Sequence, residues 1–165
     1  MAKISLGGNP INTLGELPKV GESAKNFTLV AADLAEKSLS DFSGKKVVLN
    51  IFPSIDTGVC AASVRKFNQE ASSLNNTVVI NISKDLPFAL NRFCASEGLE
   101  NVINLSDFRE NFSDDYQLLI TDGPLKGLCS RAVIIVDENG KIIYTEQVPE
   151  IKQEPDYESA IAVLK

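Results

Sequence analysis

Apolar residues recur along this chain in short runs separated by polar stretches rich in Gly, Pro, Asn and Asp. The densest run, Val47-Val48-Leu49-Asn50-Ile51-Phe52, is β-branched and too short for a core helix, which predicts a buried strand. Pro53 stops it, because proline has no N–H to give a sheet. Thr57 or Gly58 then opens a helix through Ser73, with apolar side chains at Ala62, Val64 and Phe67 and with Leu74 near its far end. Cys60 falls in the first turn of that helix. Asn75-Asn76 ends it, and the run Thr77 to Ile82 predicts another buried strand. Leu86 to Glu97 predicts a helix stopped by Gly98; Leu86, Ala89, Leu90 and Phe93 fit helical spacing, and Cys94 lies on their side.

The flanking segments complete the outline. Lys3 to Leu6 and Ile11 to Leu14 bracket Gly7-Gly8-Asn9-Pro10 and predict an N-terminal β-hairpin. Pro18 to Asn26 is a linking stretch, Phe27 to Val30 a strand, and Ser38 to Phe42 a short helical turn leading through Gly44 to the central strand. Beyond Gly98 come a short strand (Val102 to Leu105), a weaker helix (Phe108 to Tyr116) and a Gly/Pro loop (Thr121 to Gly127). Arg131 to Val136 and Lys141 to Thr145 flank Asp137-Glu138-Asn139-Gly140, a strong hairpin signal. Glu154-Pro155-Asp156 starts a last helix, Tyr157 to Leu164, with proline where its missing N–H does no harm. Strands alternating with helices, then a hairpin and a closing helix, predict an α/β fold. Its central mixed β-sheet carries helices on both faces, in one domain over 1–165.

Composition narrows the chemistry. A hydrophobic content of 44% with 23% charged residues suits a globular chain of 165 residues. Such a length buries about two-thirds of the surface exposed on unfolding, enough for a core without metal or disulfide. The net charge of −6 argues against nucleic acid as the main partner. No apolar run approaches the ~20 residues of a membrane span, and Met1 to Gly8 lacks a signal-peptide core, so the expected compartment is the cytoplasm. Histidine is absent, which removes Ser-His-Asp and Cys-His catalysis and histidine metal sites. Three cysteines remain, Cys60, Cys94 and Cys129, none within four positions of another, so neither a zinc knuckle nor a C-x-x-C pair is present. No metal or cofactor is expected.

Position separates the cysteines. Cys60 at a helix N-terminus meets unpaired backbone N–H groups and the positive end of the macrodipole, which favour the reactive thiolate. Arg65 and Lys66 lie further along the helix and are expected to face solvent. Arg131 opens a very apolar strand, where an arginine is costly without a partner; a strand-end arginine reaching solvent fits the local sequence too. Thr57, three residues before Cys60, shares its side of the turn and suits either a partner for the sulfur or a plain N-cap. Pro53 ends the strand and would also keep water from the thiolate. Cys129 stands two residues before Arg131, so on a strand it would share that face; a buried structural thiol is expected.

Together these residues resemble a known family. Pro53-x-x-x-Thr57-x-x-Cys60 matches the peroxiredoxin active-site pattern, and Arg131 the distant arginine that completes it. With Ile51 to Cys60, Arg92-Phe93-Cys94 and the Glu154-Pro155-Asp156-Tyr157 tail, the likeness extends over essentially the whole chain and is to the atypical two-cysteine peroxiredoxins of the bacterial thiol peroxidase kind. The resemblance implies a thioredoxin-like fold and reduction of hydrogen peroxide and organic hydroperoxides, the organic ones preferred. By it, Cys60 is the peroxidatic cysteine, Thr57 and Arg131 hold the peroxide, and Pro53 shields the site. Cys94 resolves the sulfenic acid as an intrachain disulfide, thioredoxin reduces that disulfide, and the chain forms a homodimer. A disulfide needs Cα atoms roughly 4.4–6.8 Å apart, so two cysteines seated on helices are expected to unwind the Cys60 turn and part of the second helix in each cycle. Two other readings start from the same residues. Cys60-Ala61-Ala62-Ser63 also reads as C-x-x-S, like a monothiol glutaredoxin, and a thioredoxin-like binding module would carry these cysteines incidentally.

Overall fold

The structure, a computed structural model, describes residues 2–71, 74–99 and 101–165. Its strands are β1 (Lys3–Leu6), β2 (Asn9–Asn12), β3 (Thr28–Ala31), β4 (Glu36–Ser38), β5 (Lys46–Ile51), β6 (Thr77–Ser83), β7 (Ile103–Ser106), β8 (Ala132–Val136) and β9 (Ile142–Gln147). Its helices are α1 (Gly58–Glu70), α2 (Pro87–Glu97), α3 (Phe112–Asp115) and α4 (Tyr157–Ala162), with a 3-10 turn at Leu39–Phe42. Strands β1 and β2 form a small sheet of their own, and the other seven form one mixed sheet in the order β4-β3-β7-β6-β5-β8-β9.

The central strand β5 pairs in parallel with β6 and antiparallel with β8. Both its faces are covered, which is why its sequence is an almost unbroken apolar run. Val47, Leu49 and Ile51 pack on one side with Phe112, Tyr116 and Leu118. Val48 packs on the other with Phe67 of α1 and Ala160 and Ile161 of α4. Phe67 is fully buried, and burying such a side chain contributes about 1.5–3 kcal/mol. The long helices α1 and α2 meet through Cys60, Val64, Leu90 and Cys94 at the end of β5 where Phe52 sits. The core therefore fixes both cysteine-bearing helices against one end of the sheet.

Local chemistry moves several expected boundaries. Gly7 and Gly8, at φ 59° and 87°, alone make the turn between β1 and β2, so the second hairpin strand begins at Asn9 and ends two residues before Leu14. Strand β4, Glu36-Lys37-Ser38, has no apolar residue; it is a polar edge strand that hydrophobic pattern does not reveal. Helix α3 is a single turn and begins only at Phe112, because the Asp107 carboxylate accepts the Phe112 and Ser113 amides at 3.1 and 3.0 Å and sets the start there. Pro87 stands at the first position of α2, after Leu86 as N-cap, and Gly98 ends the helix in the left-handed conformation. Helix α4 stops at Ala162 rather than Leu164, and of the expected end of α1, residues 72 and 73 lie outside the described residues.

Candidate active site

Strand β5 delivers Phe52 and Pro53, both buried, to the corner from which the chain turns into α1. Asp85, just beyond the neighbouring strand β6, holds that corner. Its carboxylate accepts the Ile55 amide at 2.7 Å, the Ser54 hydroxyl at 2.8 Å and the Ser83 hydroxyl at 2.6 Å. The Ser54 carbonyl in turn accepts the Thr57 amide and the Thr57 hydroxyl, at 3.2 and 3.0 Å. Thr57 is thus the N-cap residue by position, but its side chain turns back to the loop and does not cap the helix. With its proton given to Ser54, the exposed hydroxyl keeps its oxygen as an acceptor.

Cys60, third residue of α1, is fully buried between Phe52, Ile55, Val64, Leu90 and Cys94. Its carbonyl accepts the hydroxyl of Ser63 at 2.8 Å, so the serine of the C-x-x-S spacing serves the helix backbone. Arg131 immediately precedes β8, whose Ala132 pairs with Ile51, the residue before Phe52. It is 2% exposed. Its Nε donates to the Ile151 carbonyl at 2.8 Å, while its buried Nη1 has no hydrogen-bond partner among the described residues. Tyr157 packs on α1. Its ring packs edge-on against Phe67 at 5.2 Å and its hydroxyl donates to Glu154 at 2.8 Å. Burial and the bond to Glu154 push its pKa up, and both the Arg131 guanidinium and the Cys60 sulfur lie within electrostatic reach of it. Arg131, next to the β8 residue that pairs with Ile51, and Cys60, in the helix that follows β5, thus lie toward the same end of the sheet.

Cys94 is also buried, within the same cluster as Cys60. Burial pushes its thiol pKa up, and a hydrogen bond from the Asn104 side chain opposes that rise. Two exposed ion pairs tie its helix to α1 and to the corner loop: Arg65 of α1 with Glu97, and Asp56 of the corner loop with Arg92 at 3.6 Å. Arg65 also lies over the Phe93 ring at 5.3 Å, and Lys66 pairs with Glu70 within α1. Neither cation turns toward Cys60. All three thiols are free.

Cys129 does not share a face with Arg131. Residues 129 and 130 precede β8, where strand alternation does not hold; Cys129 bridges to Leu119 and packs with Phe112, Tyr116 and Leu118 on the sheet's other side. Complete burial and the nearby Asp107 carboxylate push its pKa far up, away from the thiolate form that reacts. Sequence reasoning passed over Asp85 and three asparagines, Asn50, Asn81 and Asn104. The available signal was an asparagine inside each of three successive apolar strand runs. Among the described residues no cluster of acidic or cysteine side chains is built to hold a metal, and no helix is long and apolar enough to cross a membrane.

Comparisons with known proteins identify the family of the chain. The Redoxin family model matches residues 19–161. A thiol peroxidase of Corynebacterium glutamicum is 58% identical over 99% of both chains, and one of Mycobacterium bovis 54% identical over the same shares. Among solved structures, a peroxiredoxin-like protein from Aquifex aeolicus superposes with a TM-score of 0.94 at 38% identity, covering 99% of this chain and 96% of that one. The fold is thioredoxin-like, and this chain belongs to the thiol peroxidases, peroxiredoxin-type enzymes of the Redoxin family that reduce peroxides.

Proposed function

We propose that Cys60 is the peroxidatic cysteine, with Arg131, Thr57 and Pro53 as its immediate machinery and Cys94 as the resolving cysteine. The observation that carries this reading is Arg131. A buried guanidinium with an unpartnered Nη1 costs several kcal/mol of desolvation, and its position beside the Ala132–Ile51 pair, where β5 leads toward the Cys60 helix, supports one use for that donor: the oxygen of a bound peroxide. Thr57 supplies the complementary acceptor for the peroxide O–H. The first-turn amides of α1, which carry no side-chain cap, favour an anion at this corner.

In the first step the Cys60 thiolate attacks one peroxide oxygen. The S–O bond forms and the O–O bond breaks. The departing oxygen takes a proton to become water or an alcohol, leaving a sulfenic acid. Arg131 donates to the oxygen on which charge develops, and Pro53 keeps solvent out. Cys94 then displaces hydroxide from the Cys60 sulfur and closes a disulfide within the chain. That step requires the Cys60 turn and part of α2 to unwind, since both thiols sit in intact helices. Thioredoxin, by exchange through its own dithiol, returns both cysteines to the reduced state.

Organic hydroperoxides are the preferred substrates in this reading; the cysteine itself sits in an apolar cluster with Phe52, Ile55 and Leu90. The chain works as one domain and as a homodimer; exposed Leu86 and Phe88 at the start of α2 offer apolar surface for a second copy. Free thiols suit a reducing cytoplasm. The test is stopped-flow consumption of cumene hydroperoxide coupled to thioredoxin oxidation. Cys60→Ser is expected to be inactive, and Cys94→Ser to consume one equivalent and then fail with thioredoxin. Full activity of Cys60→Ser would overturn the reading.

A further inference from the structure

Three asparagines stand in register across the middle of the sheet. Asn50 of β5 pairs with Asn81 of β6, and Asn81 with Asn104 of β7. Asn50 and Asn81 are essentially inaccessible to water, and their neighbours on either side in the strands are Leu and Ile. Buried amides are costly unless bonded, and these are bonded in a chain. The Asn50 Nδ2 donates to Asn81 Oδ1 at 3.0 Å and to Ser63 Oγ at 3.2 Å. Asn81 Nδ2 donates to Asn104 Oδ1 at 3.1 Å.

The two ends of this chain give it meaning. At one end the Ser63 hydroxyl donates a hydrogen bond to the carbonyl of Cys60. At the other, Asn104 and Cys94 line one cavity between α2 and β7; the Asn104 oxygen is already engaged by Asn81, so its N–H group is what remains for the Cys94 sulfur. One polar ladder, embedded in the rigid centre of the sheet, therefore grips the backbone of one redox cysteine and the side chain of the other. Apolar residues at these positions would serve the core as well or better, because a buried polar network is retained at a cost.

We propose that the Asn50–Asn81–Asn104 ladder, with Ser63, positions both cysteines in the peroxide-reactive conformation and holds back the opening that lets them join. This rests on the reading of Cys94 as the resolving cysteine. Bonds present only in the closed conformation stabilise it against the open one, so cutting either end shifts the population toward opening. In the open form the Cys94 sulfur gives an electron pair to the Cys60 sulfur and the S–S bond forms. The S–O bond breaks, and the hydroxide takes the proton from the Cys94 thiol to leave as water. The Cys60 sulfur is reduced and the Cys94 sulfur oxidised, with no further reagent. The ladder thus sets how long the sulfenic acid survives, and with it the exposure of Cys60 to a second peroxide and sulfinic acid.

The experiment cuts each end separately, Asn104→Val at Cys94 and Ser63→Ala at Cys60. The full chain is mixed with cumene hydroperoxide, acid-quenched at timed intervals, alkylated and mapped by mass. Loss of one hydrogen bond and the orphaning of its partner predict disulfide formation about three- to tenfold faster in either variant. Less sulfinic Cys60 is expected at high peroxide, together with faster amide hydrogen exchange in α2 than in β5. Cooperative urea unfolding checks that each variant is folded; should Asn104→Val fail it, Ser63→Ala carries the test. Disulfide formation at the wild-type rate, or slower, in a folded variant would overturn the ladder's role. Absence of a Cys60–Cys94 disulfide in the wild type would instead overturn the resolving assignment beneath it.

Discussion

The carboxylate of Asp85 accepts the backbone amide of Ile55 at 2.7 Å, so the loop that leads into the Cys60 helix hangs from the end of the neighbouring strand. The same carboxylate takes the hydroxyls of Ser54 and Ser83, and the Asp85 carbonyl accepts the Ser106 hydroxyl. Asp85→Ala leaves the Ile55 amide and two hydroxyls without their acceptor, a loss of about 1–3 kcal/mol. A loop displaced by an ångström is expected to cut the peroxide reaction roughly 100-fold. Urea unfolding and stopped-flow peroxide consumption measure the two effects, and Asp85→Asn should fall between Ala and wild type.

Arg131 separates activity from stability. In the proposed mechanism Arg131→Met removes the donor to the developing oxyanion, and loss of one such donor is expected to cost about 100- to 1000-fold in rate. The same change relieves a buried charge whose Nη1 has no partner among the described residues, which offsets the lost bond to Ile151. Unfolding free energy is therefore expected to stay within about 1 kcal/mol of wild type. A large loss of stability with little loss of peroxide reactivity would mean that the guanidinium is structural.

Cys129 is walled into the opposite side of the sheet from Cys60. Cys129→Ser should keep full thioredoxin-linked turnover and lose about 1–2 kcal/mol, because a hydroxyl replaces a thiol in an apolar site. In the native wild type Cys129 should resist alkylation until the protein unfolds. Turnover assays and timed alkylation with mass mapping check both.

Glu150 gives a pH signature. Its carboxylate accepts the amides of Lys152, Gly8 and Gly7 and the Ser5 hydroxyl, which draw its pKa from 4.5 down to about 2. A pKa lower in the folded than in the unfolded chain means that the unfolded chain binds more protons between those values. The stabilisation is therefore complete above about pH 4.5 and fades as pH falls toward 2. Urea midpoints of wild type and Glu150→Gln should differ most near neutrality and converge toward pH 2. Because Glu150 neighbours Ile151, the carbonyl that holds Arg131, the variant should also react more slowly with peroxide.

What the sequence discloses and what it hides divides along local and non-local lines. The runs of β5, β6 and β8 are legible because strands buried on both faces leave no polar alternation. Cys60 is legible because a strand, a proline and a helix start fall within a few residues. Asn50, Asn81 and Asn104 are in plain view, but their meaning depends on register between strands 31 and 23 residues apart. Arg131 stands out as a charge in an apolar run, whereas its anchor is a backbone carbonyl on Ile151, which no side chain announces. Cys129 was misplaced because β8 begins at Ala132, so two-residue spacing did not place it with Arg131. The polar edge strand β4 leaves no apolar trace at all.

The most direct measurement treats the fully reduced chain with one equivalent of hydroperoxide and maps every cysteine by mass. The account predicts a single disulfide joining Cys60 to Cys94 within one chain, with Cys129 still a free thiol. Oxidation that bypasses Cys60, or a bridge made through Cys129, would contradict it.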